Sequence, residues 1–249
     1  ENEAGHPPLG DILASFFNTI FYQKLGWTSD IESYHLFIVV VSSLLVAGVF
    51  AFTAALYGFF AGLVAACSLA LYPLFFAELH FNVKDPVQAV FYGATLMSFF
   101  WAITKRNIVW LLVSAVSFGI ALSIKLNVIF AGVTMVLWLG MYEWKKLRSF
   151  RWPFSRAMTI ALLGYPIIAF IILYASWPYL WNDPLAQFLK VVGYYRTIGA
   201  QTYQTTTLFG NFFNTYALQW VLYATPLIPL TLFLIGVWYA IRFGLREPS

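Results

Sequence analysis

Charged residues are scarce in this sequence. Only 10% of its 249 residues are Asp, Glu, Lys or Arg, whereas soluble domains carry about 25%. None of the four occurs between Ser33 and Ala77. With 61% hydrophobic residues and a mean hydropathy of +0.76, this scarcity excludes an ordinary soluble domain. The composition indicates an integral membrane protein.

Cysteine is almost absent as well. Cys67 is the only one, and it lies within an apolar run, which excludes both a disulfide framework and a cysteine metal site. The sequence begins at Glu1 with neither the basic segment nor the cleavage site of a signal peptide. We expect that an N-terminal portion with a further membrane span precedes Glu1.

Long apolar runs fill most of the chain instead. A helix that crosses a bilayer needs about 20 apolar residues. Seven segments come near this length: residues 36–57, 60–78, 86–104, 108–124, 127–143, 157–177 and 216–241. The charges fall in short clusters between these runs, so the net charge of +4 does not indicate a nucleic-acid partner. The sequence predicts an all-α fold, a polytopic transmembrane bundle of about seven spans.

Residues 7–25 differ from the spans because their pattern is amphipathic. Apolar residues recur at helical spacing from Leu9 to Phe21, and polar residues such as Asp11 and Asn18 take the other face. This pattern predicts an interfacial helix that lies in the membrane surface. The alternative is an amphipathic helix packed against a neighbouring domain.

Lysine and arginine give the orientation. If the seven spans alternate, nine of the 14 basic residues lie at one end of the bundle, and eight of the ten acidic residues lie at the other. The basic end is expected to be cytoplasmic. Residues 1–35, 78–85, 125–127 and the long loop 178–215 are then extracytoplasmic, so most of the unusual polar residues share one face.

Four titratable residues interrupt the apolar sequence between positions 78 and 85. Glu78, His80 and Asp85 are candidates for a site that holds a divalent metal or orients a polar substrate. The structural alternative is a span that ends in water, with Asp85 as the N-cap of the next helix and Pro86 in its first turn.

Three cationic or titratable side chains are candidates for anion binding on the same face. Lys125 lies between two short spans and either extends to the interface or faces a phosphate. His6 precedes two prolines at the start of the amphipathic helix, where an anion is favoured, although a lone histidine is commonly just solvated. Arg196 lies in the 178–215 loop, which is long enough to be functional.

Four segments in this order and spacing resemble those of the GT-C superfamily of membrane glycosyltransferases. They are "HPPLGDIL" from residue 6, "NVKDPVQAVFYG" from 82, "GIALSIKLNVIFAG" from 119 and "QWVLYATPLIPL" from 219. The resemblance is to the branch of protein O-mannosyltransferases and aminoarabinose transferases, glycosyltransferase family 39-like, and it covers essentially the whole chain.

The resemblance implies a polyprenyl-phosphate-linked sugar donor, an acceptor of unknown kind and a cavity at the extracytoplasmic face of a multi-pass protein of the cell membrane. Asp85 matches the second acidic position of the family, and we expect Asp85 and Glu78 to be catalytic. Lys125 matches a lysine that contacts donor phosphate, and we expect His6 and Arg196 to assist it. The family's principal catalytic carboxylate lies in a loop ahead of "HPPL", in a segment that we expect to precede this sequence. Gly5 replaces an acid of the aminoarabinose branch, so the resemblance does not carry over the metal site of that branch.

Two other classes of protein fit less well. A transporter or lipid flippase usually binds its substrate near the bilayer midplane and has internal repeats, whereas here polar residues avoid the span centres and no repeat is visible. A structural scaffold would not need Lys125 or the 178–215 loop.

Overall fold

The computed structural model describes residues 6–200, 207–208 and 213–243 of the chain. The helices are α1 (Leu9–Asn18), α2 (Asp30–Tyr57), α3 (Phe59–Ala70), α4 (Pro73–Glu78), α5 (Asp85–Thr104), α6 (Ile108–Leu122), α7 (Ile129–Tyr142), α8 (Trp144–Arg148), α9 (Arg156–Ser176), α10 (Pro184–Ala200), α11 (Tyr216–Ala224) and α12 (Leu227–Phe243). A π-helical turn, Thr19–Lys24, extends α1, and single 3-10 turns occupy Leu126–Val128 and Pro178–Leu180. Two short strands, β1 (Thr207–Leu208) and β2 (Phe213–Asn214), pair antiparallel with Thr207 opposite Asn214.

Seven apolar helical segments match the seven predicted spans. Three are long enough to cross a membrane, namely Asp30–Tyr57, Asp85–Thr104 and Arg156–Ser176. Four are shorter: Phe59–Ala70, Ile108–Leu122, Leu126–Tyr142 and Leu227–Arg242. The predicted all-α transmembrane bundle is confirmed.

Two predicted spans are not single helices. The span predicted at 60–78 breaks between α3 and α4, and the span predicted at 216–241 breaks between α11 and α12. Proline follows each break and forces the preceding residue out of the helical region: Tyr72 and Thr225 have ψ angles of 114° and 123°. The hydroxyls of these two residues are 3.3 Å apart, so the two breaks face each other.

The main core of the bundle joins α5, α6, α7 and α9. Its buried side chains are Phe99, Ala102, Ile103, Leu111, Ala115, Phe118, Ala121, Val128, Ala131, Met135, Phe154, Met158, Tyr165 and Ala169. Polar groups inside it are paired with each other: Ser114 Oγ donates to the carbonyl of Thr95 at 2.9 Å and lies 2.9 Å from the hydroxyl of Tyr165. Such pairing removes the cost of burying hydroxyls.

A second core fixes α1 beside α2, α5 and the turn after α6. Ala14, Phe37, Ile38, Val87 and Ile124 are buried there. The turn and α1 are in direct contact, because the amide of Leu9 donates to the carbonyl of Ser123 at 3.0 Å and a Cβ on Gly10 would lie 3.3 Å from Ile124. This core brings the start of α1, the start of α5 and Lys125 to one end of the bundle.

The predicted amphipathic helix at 7–25 forms as α1 and its π-helical extension. Its two faces are divided between protein and surroundings: Gly10, Ala14 and Asn18 are buried against the bundle, while Ile12 and Phe16 are 47% and 64% exposed. Exposed apolar side chains beside spanning helices suit a position in the membrane surface, which stays a prediction.

Candidate active site

The site begins with an asparagine that shapes the start of α5. The side-chain oxygen of Asn82 accepts from the amides of Lys84 and Asp85 at 3.0 and 3.1 Å. Its amide nitrogen donates to Asp85 Oδ2 at 3.0 Å. Asp85 is the first residue of α5 and not its N-cap, which is Lys84, and the Lys84 side chain makes no capping hydrogen bond. The carboxylate is held by partners outside the helix, which the helix-start interpretation did not predict.

Lys125 provides the second partner of that carboxylate. Its backbone is extended between α6 and the following 3-10 turn, and its Nζ lies 2.6 Å from Asp85 Oδ1. The two side chains are 35% and 44% exposed, so the ion pair is accessible from outside. Lys125 does not simply extend to the membrane interface, because it meets an acid 40 residues away in the sequence.

A second ion pair connects the same region to α1. Lys84 Nζ lies 3.1 Å from Asp11 Oδ2, with side-chain exposures of 38% and 50%. Asp11 belongs to the first turn of α1, where the helix dipole favours a carboxylate. The α5 start thus carries two adjacent ion pairs, one to each neighbouring element.

His6 lies beside both ion pairs and below helix α10. Its ring centroid is 6.2 Å from that of Tyr194 and 6.3 Å from that of Tyr195, and the Tyr195 hydroxyl is 3.5 Å from Nδ1. Partial burial lowers the pKa of His6, the Lys84 and Lys125 cations lower it further, and Asp11 opposes them. The imidazole is therefore neutral at pH 7 and ready to gain a proton beside an anion.

Helix α10 occupies the middle of the predicted 178–215 loop. It is anchored by a small core of Leu173, Trp177, Leu180 and Val191. Burial and the neighbouring Tyr194 raise the pKa of the Tyr195 phenol, so Tyr195 stays a neutral hydroxyl near His6. Arg196 follows it in the sequence and is exposed. Residues 201–206 and 209–212 of this predicted loop lie outside the described residues.

Glu78 and His80 stand apart from the ion pairs. Glu78 ends α4, and one of its carboxylate oxygens is buried without a hydrogen-bond partner among the described residues. His80 is exposed, and its Nδ1 lies 2.8 Å from the carbonyl of Phe76. Among the described residues, Glu78 is joined to the site through its backbone, since its carbonyl accepts from the amide of Asn82 at 3.0 Å.

The candidate metal ligands are not gathered in one place. Within residues 6–200, 207–208 and 213–243, no group of three or more His, Cys, Asp and Glu side chains could hold a metal ion. Glu78, His80 and Asp85 therefore do not form a ligand set, and Asp85 is already paired with Lys125.

The site gathers two lysines, two aspartates and a histidine at the ends of three elements. Lys125 and Lys84 can neutralise an anion, and Asp85 can accept a proton. Asp85, Lys125 and His6 were candidates from the sequence, and the structure brings them together, but the sequence did not indicate Asp11, Asn82 and Tyr195 as their partners. The only sequence signal for Asn82 was its place before Asp85-Pro86, since asparagine commonly bonds to backbone amides just ahead of it.

One family model matches the chain. It is described as dolichyl-phosphate-mannose-protein mannosyltransferase, and it matches residues 5–170, which is well over half of the chain and includes His6, Asp11, Asp85 and Lys125. No curated protein and no solved structure matches the chain.

Proposed function

The chain belongs to this mannosyltransferase family, and from that premise we propose that it transfers a sugar from a polyprenyl-phosphate donor to a hydroxyl of an acceptor. The chain is a membrane glycosyltransferase of mannosyltransferase type. The donor follows from the family's description, since dolichyl phosphate is a polyprenyl phosphate. The observation that carries the proposal is the half-exposed Asp85–Lys125 ion pair beside Lys84 and His6.

The reaction needs two kinds of group, and this pair supplies both. The bond between sugar C1 and the phosphate oxygen breaks, and the phosphate keeps the electron pair. Lys125 and Lys84 stabilise this departing anion, and His6 assists because an adjacent phosphate favours its protonated form. The acceptor oxygen bonds to C1, and its proton passes to the Asp85 carboxylate, which acts as general base.

Two further residues have supporting roles in the proposal. Glu78 is a second carboxylate that precedes the start of α5, and one of its oxygens has no hydrogen-bond partner among the described residues, so it retains the capacity to accept a hydrogen bond from an acceptor hydroxyl. Arg196 follows Tyr195 on α10 and is exposed, so in this proposal it adds positive charge near a donor phosphate bound beside His6.

The same proposal places the site on the extracytoplasmic face of the cell membrane. Support comes from the opposite ends of α5, since Asp85 begins this helix and Lys105 and Arg106 follow its last turn. The basic residues thus lie at the end away from the site, as the positive-inside rule requires. Cysteines at Asn82 and Ser149, in a Cys67→Ala background, test the orientation: an impermeant thiol reagent should label only the former in intact cells.

Asp85→Asn tests the chemistry. We expect transfer from a polyprenyl-phosphate sugar by the purified full chain to fall by about tenfold or more, since a positioned general base commonly contributes about 10²–10⁴. Asp183→Asn is the matched control, because Asp183 is an exposed acid that caps α10 through the amide of Ala186 at 3.1 Å, and asparagine caps equally well. Equal turnover of the Asp85→Asn and Asp183→Asn proteins would refute the proposal.

A further inference from the structure

The end of the bundle away from the candidate site carries an exposed surface of cations and aromatic rings, here termed the basic–aromatic surface. It comprises Lys105, Lys145, Arg148, Arg151 and Arg156 together with Trp144, Phe150 and Trp152. The three rings are 60%, 100% and 58% exposed. The α5 helix separates this surface from Asp85 by 20 residues, or about 30 Å along its axis.

A buried acid joins the two loops that form this surface. Glu143 is 3% exposed and pairs with Arg106 from the α5–α6 loop and with Lys146 from α8, the latter at 3.1 Å. The guanidinium of Arg106 also lies 4.6 Å from the centre of the Phe154 ring. These contacts hold the α5–α6 loop against the α7–α9 loop, so the cations of both loops belong to one surface.

The remaining cations have no acidic partner within the part of the chain that the structure describes. Glu143 is the only Asp or Glu between Asp85 and Asp183 in the sequence, and Arg106 and Lys146 already occupy it. The five cations of the basic–aromatic surface make no ion pair with any residue that the structure describes. A surface with this much unpaired charge is complementary to an anionic partner.

Phe150 adds a fully exposed apolar side chain to the same surface. Helix α8 ends in a Schellman motif, in which the amide of Phe150 bonds to the carbonyl of Leu147 and the amide of Arg151 to that of Lys146, both at 3.0 Å. Phe150 takes the left-handed position with φ of 54°, where glycine is usual and a bulky residue is strained. The ring is fully exposed, so it contributes nothing to packing within the described protein.

We propose that the basic–aromatic surface binds the head groups of anionic phospholipids in the leaflet at this end of the bundle. Spanning helices end here, so the surface lies at the level of the head groups. Arginine and lysine clusters beside membrane helices attract anionic lipids, and Arg148 and Arg151 can bind a phosphate in bidentate fashion. Trp144, Phe150 and Trp152 enter the interface beside the bound head group.

The test measures lipid selectivity of the full-length protein in phosphatidylcholine bilayers. Spin-labelled phosphatidylglycerol and spin-labelled phosphatidylcholine are compared by electron paramagnetic resonance. We expect the protein to prefer phosphatidylglycerol by about fivefold or more, which is what one basic residue near an anionic surface supplies, and the preference should weaken in high salt. The double variant that carries Arg148→Gln and Arg151→Gln should lose most of the preference for phosphatidylglycerol.

Matched variants separate this proposal from a general effect of charge. Lys24→Gln with Lys190→Gln removes the same two charges from exposed positions outside the surface and should leave the preference unchanged. The double variant that carries Arg148→Lys and Arg151→Lys keeps both charges and should keep most of the preference for phosphatidylglycerol. It provides a test even if the glutamine variant fails to fold. Phe150→Gly should unfold at higher temperature in neutral detergent, because strain is relieved.

Several results would overturn the proposal. They are equal association of the two lipids with the wild-type protein, an equal loss of preference in the Lys24/Lys190 control, and a Phe150→Gly protein less stable than wild type. Salt-sensitive binding of a soluble polyanion such as RNA without any preference for phosphatidylglycerol would also overturn it, in favour of a nucleic-acid partner. Sugar transfer is measured separately, so failure here leaves the proposed function standing.

Discussion

The two ends of the bundle use charge in opposite ways. At the site end, Asp85 pairs with Lys125 and Asp11 pairs with Lys84, and these four side chains are between 35% and 50% exposed. At the other end, Glu143 is 3% exposed and pairs with two cations, Arg106 and Lys146. The first arrangement is open to solvent, and the second is closed.

The difference in burial separates binding from stability. Exposed ion pairs contribute about 0–1 kcal/mol, so a ligand can replace one partner of Asp85–Lys125 at little cost. A buried carboxylate that loses its cations is strongly destabilising, so Glu143 is committed to holding two loops together. Ion pairs that appear equivalent in a sequence thus have different uses, and exposure distinguishes them.

The largest expected effect is at the buried end. Arg106→Gln with Lys146→Gln leaves the Glu143 carboxylate without a cation, and we expect a loss of about 3–5 kcal/mol in the free energy of unfolding. Denaturation of the purified protein in detergent measures it. Adding Glu143→Gln to this variant should recover most of the loss, because the uncompensated charge is gone. A stable double variant without that third change would show that Glu143 is not committed to structure.

Lys125→Gln tests the exposed end. If Lys125 contacts the donor phosphate in place of Asp85, the Lys125→Gln substitution removes a charge-assisted contact worth about 1.5–3 kcal/mol. That corresponds to roughly a ten- to hundredfold loss in the efficiency of donor use. Thermal stability should change little, since the pair is half-exposed. Lys125→Arg should be tolerated only in part, because a planar guanidinium does not replace a compact ammonium.

Turnover at subsaturating donor is the measurement, and Lys24→Gln is the control because Lys24 is an exposed cation outside the site. Wild-type efficiency in Lys125→Gln would remove Lys125 from donor binding. If Lys125→Gln lost as much stability as the Arg106→Gln/Lys146→Gln variant, the ion pairs at the two ends would not differ in their contribution to stability.

The smallest expected effect is the pH dependence that His6 confers. Its pKa is lowered from 6.5 in the free protein by burial and by the Lys84 and Lys125 cations. As the pH falls through 6.5, His6 therefore takes up a proton in the unfolded chain before it does so in the folded protein. The contribution of His6 to the stability of the folded protein is thus complete above pH 6.5 and is lost as the pH falls toward the lowered pKa. A donor phosphate favours the protonated imidazole. The affinity for the donor should therefore rise several-fold as the pH falls through the same range, as expected for about one charged contact.

His6→Gln should flatten both profiles, which are measured as thermal unfolding and as the donor KM between pH 5.5 and 7.5, a window of about one unit on each side of the ordinary pKa. His80→Gln is the matched control, since His80 is exposed and lies beside Phe76, away from the ion pairs. An unchanged KM profile in His6→Gln would place His6 outside the donor site.

Most of the fold was predictable because the bilayer interior requires apolar side chains, and these are visible in the composition of the sequence. Apolar runs near the length of a bilayer crossing must form helices, since backbone groups have no other partners in lipid. The two broken spans were predictable in principle from Pro73 and Pro226, whose effect on Tyr72 and Thr225 is local. The prediction of continuous helices there was wrong because the apolar pattern was given more weight than proline.

The sequence by itself determined the membrane class, most of the helical elements, the family resemblance and the segregation of charge between two faces. Only the tertiary structure decided which charges meet. Asp85 pairs with Lys125 across 40 residues, Lys84 pairs with Asp11, and Glu143 is buried while Asp85 is not. Ion pairing acts within about 4 Å, and burial depends on every neighbour of a side chain. A linear pattern specifies neither of these before the helices pack.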